Sequence, residues 1–425
     1  MVDILFRFLI LINVWAPYVG SWFPKIVGAP AGAAIRDILN LILLIYGLSL
    51  VFFTGHRFNK FYVCSLLIWL FLCVWVLVLM MHSPSMMQAI MGARSYILFP
   101  SIYFVVLINA YHKKINIERM IDFILLNGVI AAFIAIIDVL SSGQLKLALG
   151  YKNDYAGDNF SLIDSYDGLL RATGGFSDAL NFGYMLSVVY LLSLHKFYKT
   201  DRWIYFLSAM VVAVCTVMTL TRGAIICVFL ISAVYIFKGK NSIFRLSIIV
   251  VMIFFLLIYS YDYWSLYMDL MIERFTDSSS TSKGSTMGRV SMAIAAIDTL
   301  TSQPMGLGLG TQGSGNIVSS SNLRVNTDNY FFWMALETGV IGMCINVIFF
   351  TFAFLSTYSG GKKYQGRLFS KEFFFLMIFI FFFSSLVSSA PSSSTLSIVF
   401  WMALALVSTE NYSKNNRGKL NEILC

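Results

Sequence analysis

Phe61 to Met80 reads FYVCSLLIWLFLCVWVLVLM, twenty consecutive residues without one charge. A helix of about 20 apolar residues, rising 1.5 Å per residue, crosses the roughly 30 Å hydrocarbon core of a bilayer. The stretch therefore reads as a membrane span. Outward from it, apolar runs recur near residues 4–19, 35–53, 96–110, 119–140, 174–194, 203–220, 222–237, 243–259, 329–355, 372–390 and 392–409. With 61–80 these make about twelve spans. The whole chain agrees, because it is 58% hydrophobic and only 12% charged, where a soluble domain carries about 25% charged residues. A water-soluble globular protein is excluded. Residues 1–425 are expected to form one integral membrane domain of the all-α, polytopic class.

Two boundaries need argument. The run from Phe8 to Val19 precedes the small-residue stretch Gly28 to Ala34 and has the outline of a secretory signal. Asp3 stands beside Arg7, however, and another apolar run follows at once, so it reads as an uncleaved first span. Segment 203–237 is broken by Thr219, Thr221, Arg222 and Gly223, which mark a polar turn between two helices.

The net charge of +9 does not point to nucleic acid, because the basic residues fall in small groups between apolar runs. They occupy every second connection: Arg57 and Lys60; Lys113, Lys114 and Arg119; Lys196, Lys199 and Arg202; Lys238, Lys240 and Arg245; Lys362, Lys363, Arg367 and Lys371; Lys414, Arg417 and Lys419. With Arg7, that side carries 19 of the 30 basic residues. Its balance is about +12 against about −3 opposite, so both termini are expected in the cytoplasm. Of the six cysteines, five lie in apolar runs and Cys425 ends the chain, so no structural disulfide is expected.

The outer connections are short except for 141–173 and 260–328, and function is sought there. In the second, Tyr261, Tyr263, Trp264 and Tyr267 form an aromatic cluster, and Met287, Val290, Ile294 and Ile297 recur at helical spacing before Pro304. Amphipathic helices on the outer rim are expected. Asp154, Asp158, Asp164 and Asp167 give the first loop an acidic cluster, read as solvated loop rather than a weak cation site.

Three segments carry candidate chemistry. Arg222, in Thr221-Arg222-Gly223-Ala224, lies at the outer mouth of two spans, where a guanidinium either snorkels or binds an anion. Arg171 begins Arg171-Ala-Thr-Gly174-Gly175-Phe176, which leads to Asn181 and Gly183 inside a span; these read as substrate contacts or as close helix packing with a satisfied Asn. Arg289 is followed by Gly306-Leu-Gly308-Leu-Gly310, Asp328-Asn329-Tyr330 and Leu336-Glu337-Thr338-Gly339. Gly308, Gly310 and Gly313 spell G-x-G-x-x-G, but no strand-helix-strand unit surrounds them, so no dinucleotide is expected. Those glycines would let backbone approach a substrate or re-enter toward the membrane. Glu337 falls inside a span, where an ionisable group is a functional candidate or a paired structural one. Asp328 is either a general base or the cap of the tenth span. No P-loop occurs, and His56, His82, His112 and His195 are too scattered for a metal centre.

Taken together, these segments resemble the O-antigen polymerase and O-antigen ligase superfamily. The likeness rests on Arg171 to Gly183, on Thr221 to Ala224, and on Pro304 to Gly310 with Asp328 to Gly342; Gly92-Ala93-Arg94 is a weaker fourth match. It implies a GT-C-like helical fold with two larger periplasmic loops, and a glycosyltransferase at the periplasmic face of the bacterial inner membrane. The implied donor and acceptor are glycans on undecaprenyl pyrophosphate, with membrane lipid around them and a separate chain-length-regulating co-polymerase as partner. No cofactor or metal is implied; a fixed guanidinium charge can stabilise a leaving pyrophosphate by itself. By carry-over, Arg222 and Arg289 would contact the pyrophosphate and Asp328 would act as base. Arg171, Asn181, Gly308, Gly310, Asn329, Glu337 and Arg94 would bind substrate. Ligases of this kind carry His where this chain has Asp328, which favours polymerisation of repeat units with inversion at the anomeric carbon. Transfer of finished polymer to lipid A core is the alternative within the superfamily, and a lipid-linked oligosaccharide flippase the alternative from another class.

Overall fold

The computed structural model describes residues 2–27, 31–54, 60–112, 114–148, 165–166, 169–174, 179–238, 280–312, 325, 327–359, 371–392 and 396–408. Nearly all of these are helical: α1 (Val2–Val27), α2 (Ala31–Thr54), α3 (Lys60–Met80), α4 (Met86–Tyr111), α5 (Ile117–Leu140), the short α6 (Gln144–Ala148), α7 (Ala179–Thr200), α8 (Trp203–Met218), α9 (Arg222–Lys238), α10 (Ser280–Ser302), α11 (Tyr330–Ser359) and α12 (Lys371–Val387). A last helix, α13, covers Leu396–Ser408. The β structure among the described residues is one antiparallel ladder of two residues a side, Ser165–Tyr166 against Leu169–Leu170.

Four described helices are long and apolar enough to cross a membrane: α3, α4, α5 and α11. Five more described segments are apolar but shorter, within α2, α8, α9, α12 and α13. Leu67, Phe71, Val74 and Leu77 of α3 and Leu126 and Phe133 of α5 are exposed, the pattern of faces turned to lipid rather than water. These are the helices of a multi-pass membrane protein. Every apolar run read from the sequence overlaps a helix except 243–259, which lies outside the described residues. Tyr261 to Tyr267 and the acidic cluster Asp154 to Asp167 also lie outside them. The polar turn at 219–221 does separate two helices.

The run 96–110 begins too late. α4 starts ten residues earlier at Met86, where Ser85 caps it by accepting from Gln88 N at 3.2 Å. Gln88, Gly92 and Arg94 obscure that first half in the sequence. The helix tolerates them because Arg94 Nη1 meets Asp37 Oδ2 at 3.3 Å and Gly92 takes a neighbouring backbone against its Cα. On α10, Val290, Ile294 and Ile297 are indeed on one line, and all three are exposed.

The chain divides into two compact units, 1–127 with 291–425, and 128–290. In the first, α3 and α4 pack with α11 around an aromatic core. Trp69 meets Phe104 at 5.4 Å, Phe349 meets Trp401 at 5.4 Å, and Phe381 stacks on Phe400 at 4.3 Å between centroids. Within this core the hydroxyls of Thr357 and Ser408 satisfy one another away from water, lying 2.6 Å apart beside Tyr103.

α11 is broken at Gly339, whose φ of 71° and ψ of 172° leave the helical region. In an unbroken helix Val340 N would donate to Leu336 O. Here Val340 N donates to Pro304 O at 3.0 Å, and Leu336 O accepts from Leu307 N at 2.7 Å. The segment after α10 is thus stitched into the break. Its far end is held on α4, where Gly310, at φ +75°, lies so close that an added Cβ would come within 2.2 Å of Gln88 O.

In the second unit α7 is the central helix, apolar on every side and buried from Phe182 to Leu194, as a helix hydrophobic all round should be. α8 and α9 pack on it. Gly183 faces Ala224, so the backbones of α7 and α9 approach closely, and Ser187 Oγ lies 3.3 Å from Ala224 O. Nearer the other end Tyr190 meets Ser232 at 2.6 Å and His195 Nδ1 meets Tyr235 at 2.8 Å.

Gly310→Ala should therefore destabilise the protein by more than about 2 kcal/mol, through both the positive φ and the collision with Gln88. Gly288→Ala, with nothing within 4 Å of the added methyl, should be neutral or stabilising by up to about 1 kcal/mol. Thermal unfolding in detergent distinguishes them; equal midpoints would contradict the packing of the 304–312 segment on α4.

Candidate functional site

Polar groups gather where helices end, in each unit separately. In the first unit the centre is Glu337, on α11 just before the break and 2% exposed. Its Oε2 accepts from Tyr96 Oη at 2.9 Å, and its Oε1 accepts from Gln312 N at 3.1 Å. The Gly310 backbone and the Trp333 side chain lie near the same carboxylate. Donors surround it. The geometry makes Glu337 an acceptor that fastens 304–312 to α4 and α11.

Further bonds hold the same segment. Leu309 N donates to Ser83 Oγ at 3.0 Å, and Trp75 Nε1 donates to Thr338 O at 3.0 Å beside the break. Gly308 and Gly310 both have positive φ, with α4 and the turn before it against their Cα atoms. Their missing side chains make room for the protein's own backbone. Arg94, half-way to buried, is held by Asp37.

The cap of α11 is Asn329, not Asp328. Asn329 Oδ1 accepts from Phe331 N at 2.8 Å and Phe332 N at 3.2 Å, while its Nδ2 donates to Leu386 O at 3.0 Å. Both residue types cap well, but the helix begins at Tyr330, so the position immediately before it is Asn329. Asp328 is exposed one residue further out, and its alternative reading as the cap is removed.

In the second unit Arg171 reaches the turn between α8 and α9. Its Nε donates to Thr219 O at 2.9 Å and its Nη2 to Thr221 Oγ1 at 3.3 Å. Next to it, Ala172 N donates to Met218 O at 2.9 Å, and Thr221 Oγ1 lies 3.2 Å from Ala179 O at the start of α7. The turn includes Leu220 at φ 52°, unusual for a branched apolar residue. Arg222 follows as the first residue of α9, partly exposed. Two of the sequence motifs, Arg171 to Gly174 and Thr221 to Ala224, are therefore one structure. Asn181 stands in the first turn of α7 and is partly exposed; Arg289 is exposed on α10.

The sequence reading did not name Asp37, Tyr96, Gln312, Asp138, Lys146 or Thr173, all of which contact the candidates or their supports. For Asp138 a signal existed, since an acid two residues from the end of a span needs a partner. For Tyr96 and Gln312 none did.

With this geometry in view, comparison with known proteins is informative. The family described as O-Antigen ligase matches residues 206–347, a range that includes Arg222, Arg289, the 304–312 segment, Asp328 and Glu337. The class is thus that of the multi-pass membrane proteins this family describes. A curated protein of Salmonella muenchen called O-antigen polymerase is 44% identical over 387 residues, covering 89% of this chain and 96% of that protein. The chain belongs to the O-antigen polymerase and ligase superfamily.

Glu337→Gln would place an amide N–H₂ among donors and should cost about 1–3 kcal/mol. Tyr96→Phe, which removes one donor, should cost about 1 kcal/mol. The double variant should cost less than the sum, because the amide can turn toward the vacated side. Additive losses in thermal unfolding would show that the Tyr96 to Glu337 contact is not made.

Proposed function

We propose that this chain is an O-antigen polymerase: an inverting glycosyltransferase that joins oligosaccharide repeat units carried on undecaprenyl pyrophosphate. The reading places the reaction at the periplasmic face of the bacterial inner membrane, in a GT-C-like protein of about twelve spans with both termini in the cytoplasm. A chain-length-regulating co-polymerase is its expected partner. The name of the Salmonella muenchen relative supports it, and the observation that carries it is Arg222 at the head of α9, on a turn held by Arg171.

In the reaction a sugar hydroxyl of one lipid-linked unit attacks the anomeric carbon of another. The bond from that carbon to the pyrophosphate oxygen breaks, and undecaprenyl pyrophosphate leaves with developing negative charge. A guanidinium is charged at every physiological pH and offers two parallel N–H groups to phosphate. The first N–H groups of a helix also lack intrahelical acceptors and favour anions. Arg222 combines both features. Arg289 is the second cation in this reading. Asp328, exposed and not engaged as the α11 cap, takes the proton of the attacking hydroxyl. Glu337, Gly308, Gly310 and Asn329 act by holding the 304–312 segment and the start of α11, and Arg94 and Asn181 are left as contacts to the glycan.

The ligase reaction is the second reading, because the matching family carries that description. The same residues would serve it, with lipid A core supplying the hydroxyl. Purified protein in nanodiscs, given only the undecaprenyl-pyrophosphate-linked repeat unit of its own host, should make ladders of two or more repeats. Arg222→Ala should lower the rate at least 100-fold, as loss of a charge-stabilising donor does, and Asp328→Asn should abolish the ladder in folded protein. Transfer of preformed polymer to lipid A core with no ladder would move the assignment to ligase.

A further inference from the structure

Below the Arg171 segment the second unit contains a buried ion pair. Lys146, on α6 in the first large outer loop, is 1% exposed. Its Nζ lies 3.5 Å from Asp138 Oδ2 near the end of α5, and its backbone N donates to Asp138 Oδ1 at 3.0 Å. The ammonium also donates to Thr173 Oγ1. Thr173 is itself 1% exposed and stands two residues from Arg171. An ion pair this deep carries a desolvation penalty that its own attraction need not exceed, so its presence is weak evidence for stability. What it does supply is a fixed position for one hydroxyl.

We propose that Asp138, Lys146 and Thr173 form a positioning clamp for Arg222. The chain of contacts is continuous. Asp138 fixes Lys146, and Lys146 holds the hydroxyl of Thr173. Ala172 then bonds Met218 at the end of α8, Arg171 bonds Thr219 and Thr221, and Arg222 follows on the next residue. These contacts thereby hold a guanidinium to the tolerance that catalysis by fixed charge demands, since small displacements cost large factors in rate. The inference rests on the proposed role of Arg222, and Lys146 and Asp138 act through it without touching substrate.

The test uses the full chain in nanodiscs and the undecaprenyl-pyrophosphate-linked repeat unit of its host, with rates normalised to monodisperse protein. Thr173→Val removes the hydroxyl without stranding a charge. It should lower kcat about tenfold with KM nearly unchanged, the signature of an interaction felt in the transition state. Thr173→Ser should restore at least half the rate. Asp138→Asn with Lys146→Met removes both charges together; it should accumulate normally yet match Thr173→Val in kcat. In an Arg222→Ala background, Thr173→Val should lower kcat less than about twofold further, because the group it aims is gone. Full kcat in Thr173→Val, or an undiminished tenfold loss in the Arg222→Ala background, would overturn the clamp. Full activity in Arg222→Ala alone would overturn the underlying reading instead, so the two failures are separable.

Discussion

A backbone N–H or C=O that leaves a helix within a membrane must find another partner, because no water is there to take it. α11 meets this constraint at Gly339 by exchange: the bond between Val340 N and Leu336 O is opened, and each group is taken up by the segment that follows α10. The break and the segment are therefore mutually dependent. Without the break, Leu307 N and Pro304 O would face no partners on α11; without the segment, the break would leave a buried donor and acceptor unpaired, at about 1–3 kcal/mol each. Glu337 adds side-chain acceptors to the same seam. The irregular chain at 304–312 is in this way made as determinate as a helix.

The second unit solves a related problem with different means. The turn between α8 and α9 leads into Arg222, the cation of the proposed reaction, and the turn itself carries a leucine at positive φ. Side chains hold it alongside one backbone bond, from Ala172 N to Met218 O: Arg171 bonds the carbonyl of Thr219 and the hydroxyl of Thr221, and Thr221 in turn meets Ala179 O. A lysine at 171 could supply charge but not two donors in a rigid fork. The arginine here is read best as a strut, and the one at 222, on the turn it supports, as the working cation. This divides a pair of arginines that composition alone would treat alike.

The apolar runs were legible because span length and hydrophobicity are local properties, and the turn at 219–221 was legible because Thr219, Thr221 and Arg222 are polar within an apolar stretch. The start of α4 was not. Gln88, Gly92 and Arg94 look like the end of a helix until Asp37 and the 304–312 segment are placed beside them. The glycines at 308 and 310 show the same limit: their need for space was readable, but what fills the space, a ligand or another backbone, is decided by chain segments more than 200 residues away. The cap of α11 turned on a single residue, since Asp328 and Asn329 are both good caps and only the start of the helix chooses between them. Asp138 and Lys146 were readable as separate charges in an apolar setting, but their pairing was not, because the seven residues between them include the end of one helix and the start of another.

Both units thus use buried or half-buried polar groups mainly to hold backbone, and leave to exposed or partly exposed positions the groups able to meet a substrate. Glu337, Lys146, Asp138 and Thr173 are within 5% of complete burial, whereas Arg222, Arg289 and Asp328 are not buried. This division follows from the chemistry proposed. A leaving pyrophosphate needs positive charge already in place when its bond breaks, since reorganising a loop during the reaction would add to the barrier. A charge exposed enough to meet a lipid-linked substrate cannot be held by burial of its own side chain. It must be held through the backbone beneath it, and buried polar contacts to that backbone are the means by which these helix ends become rigid.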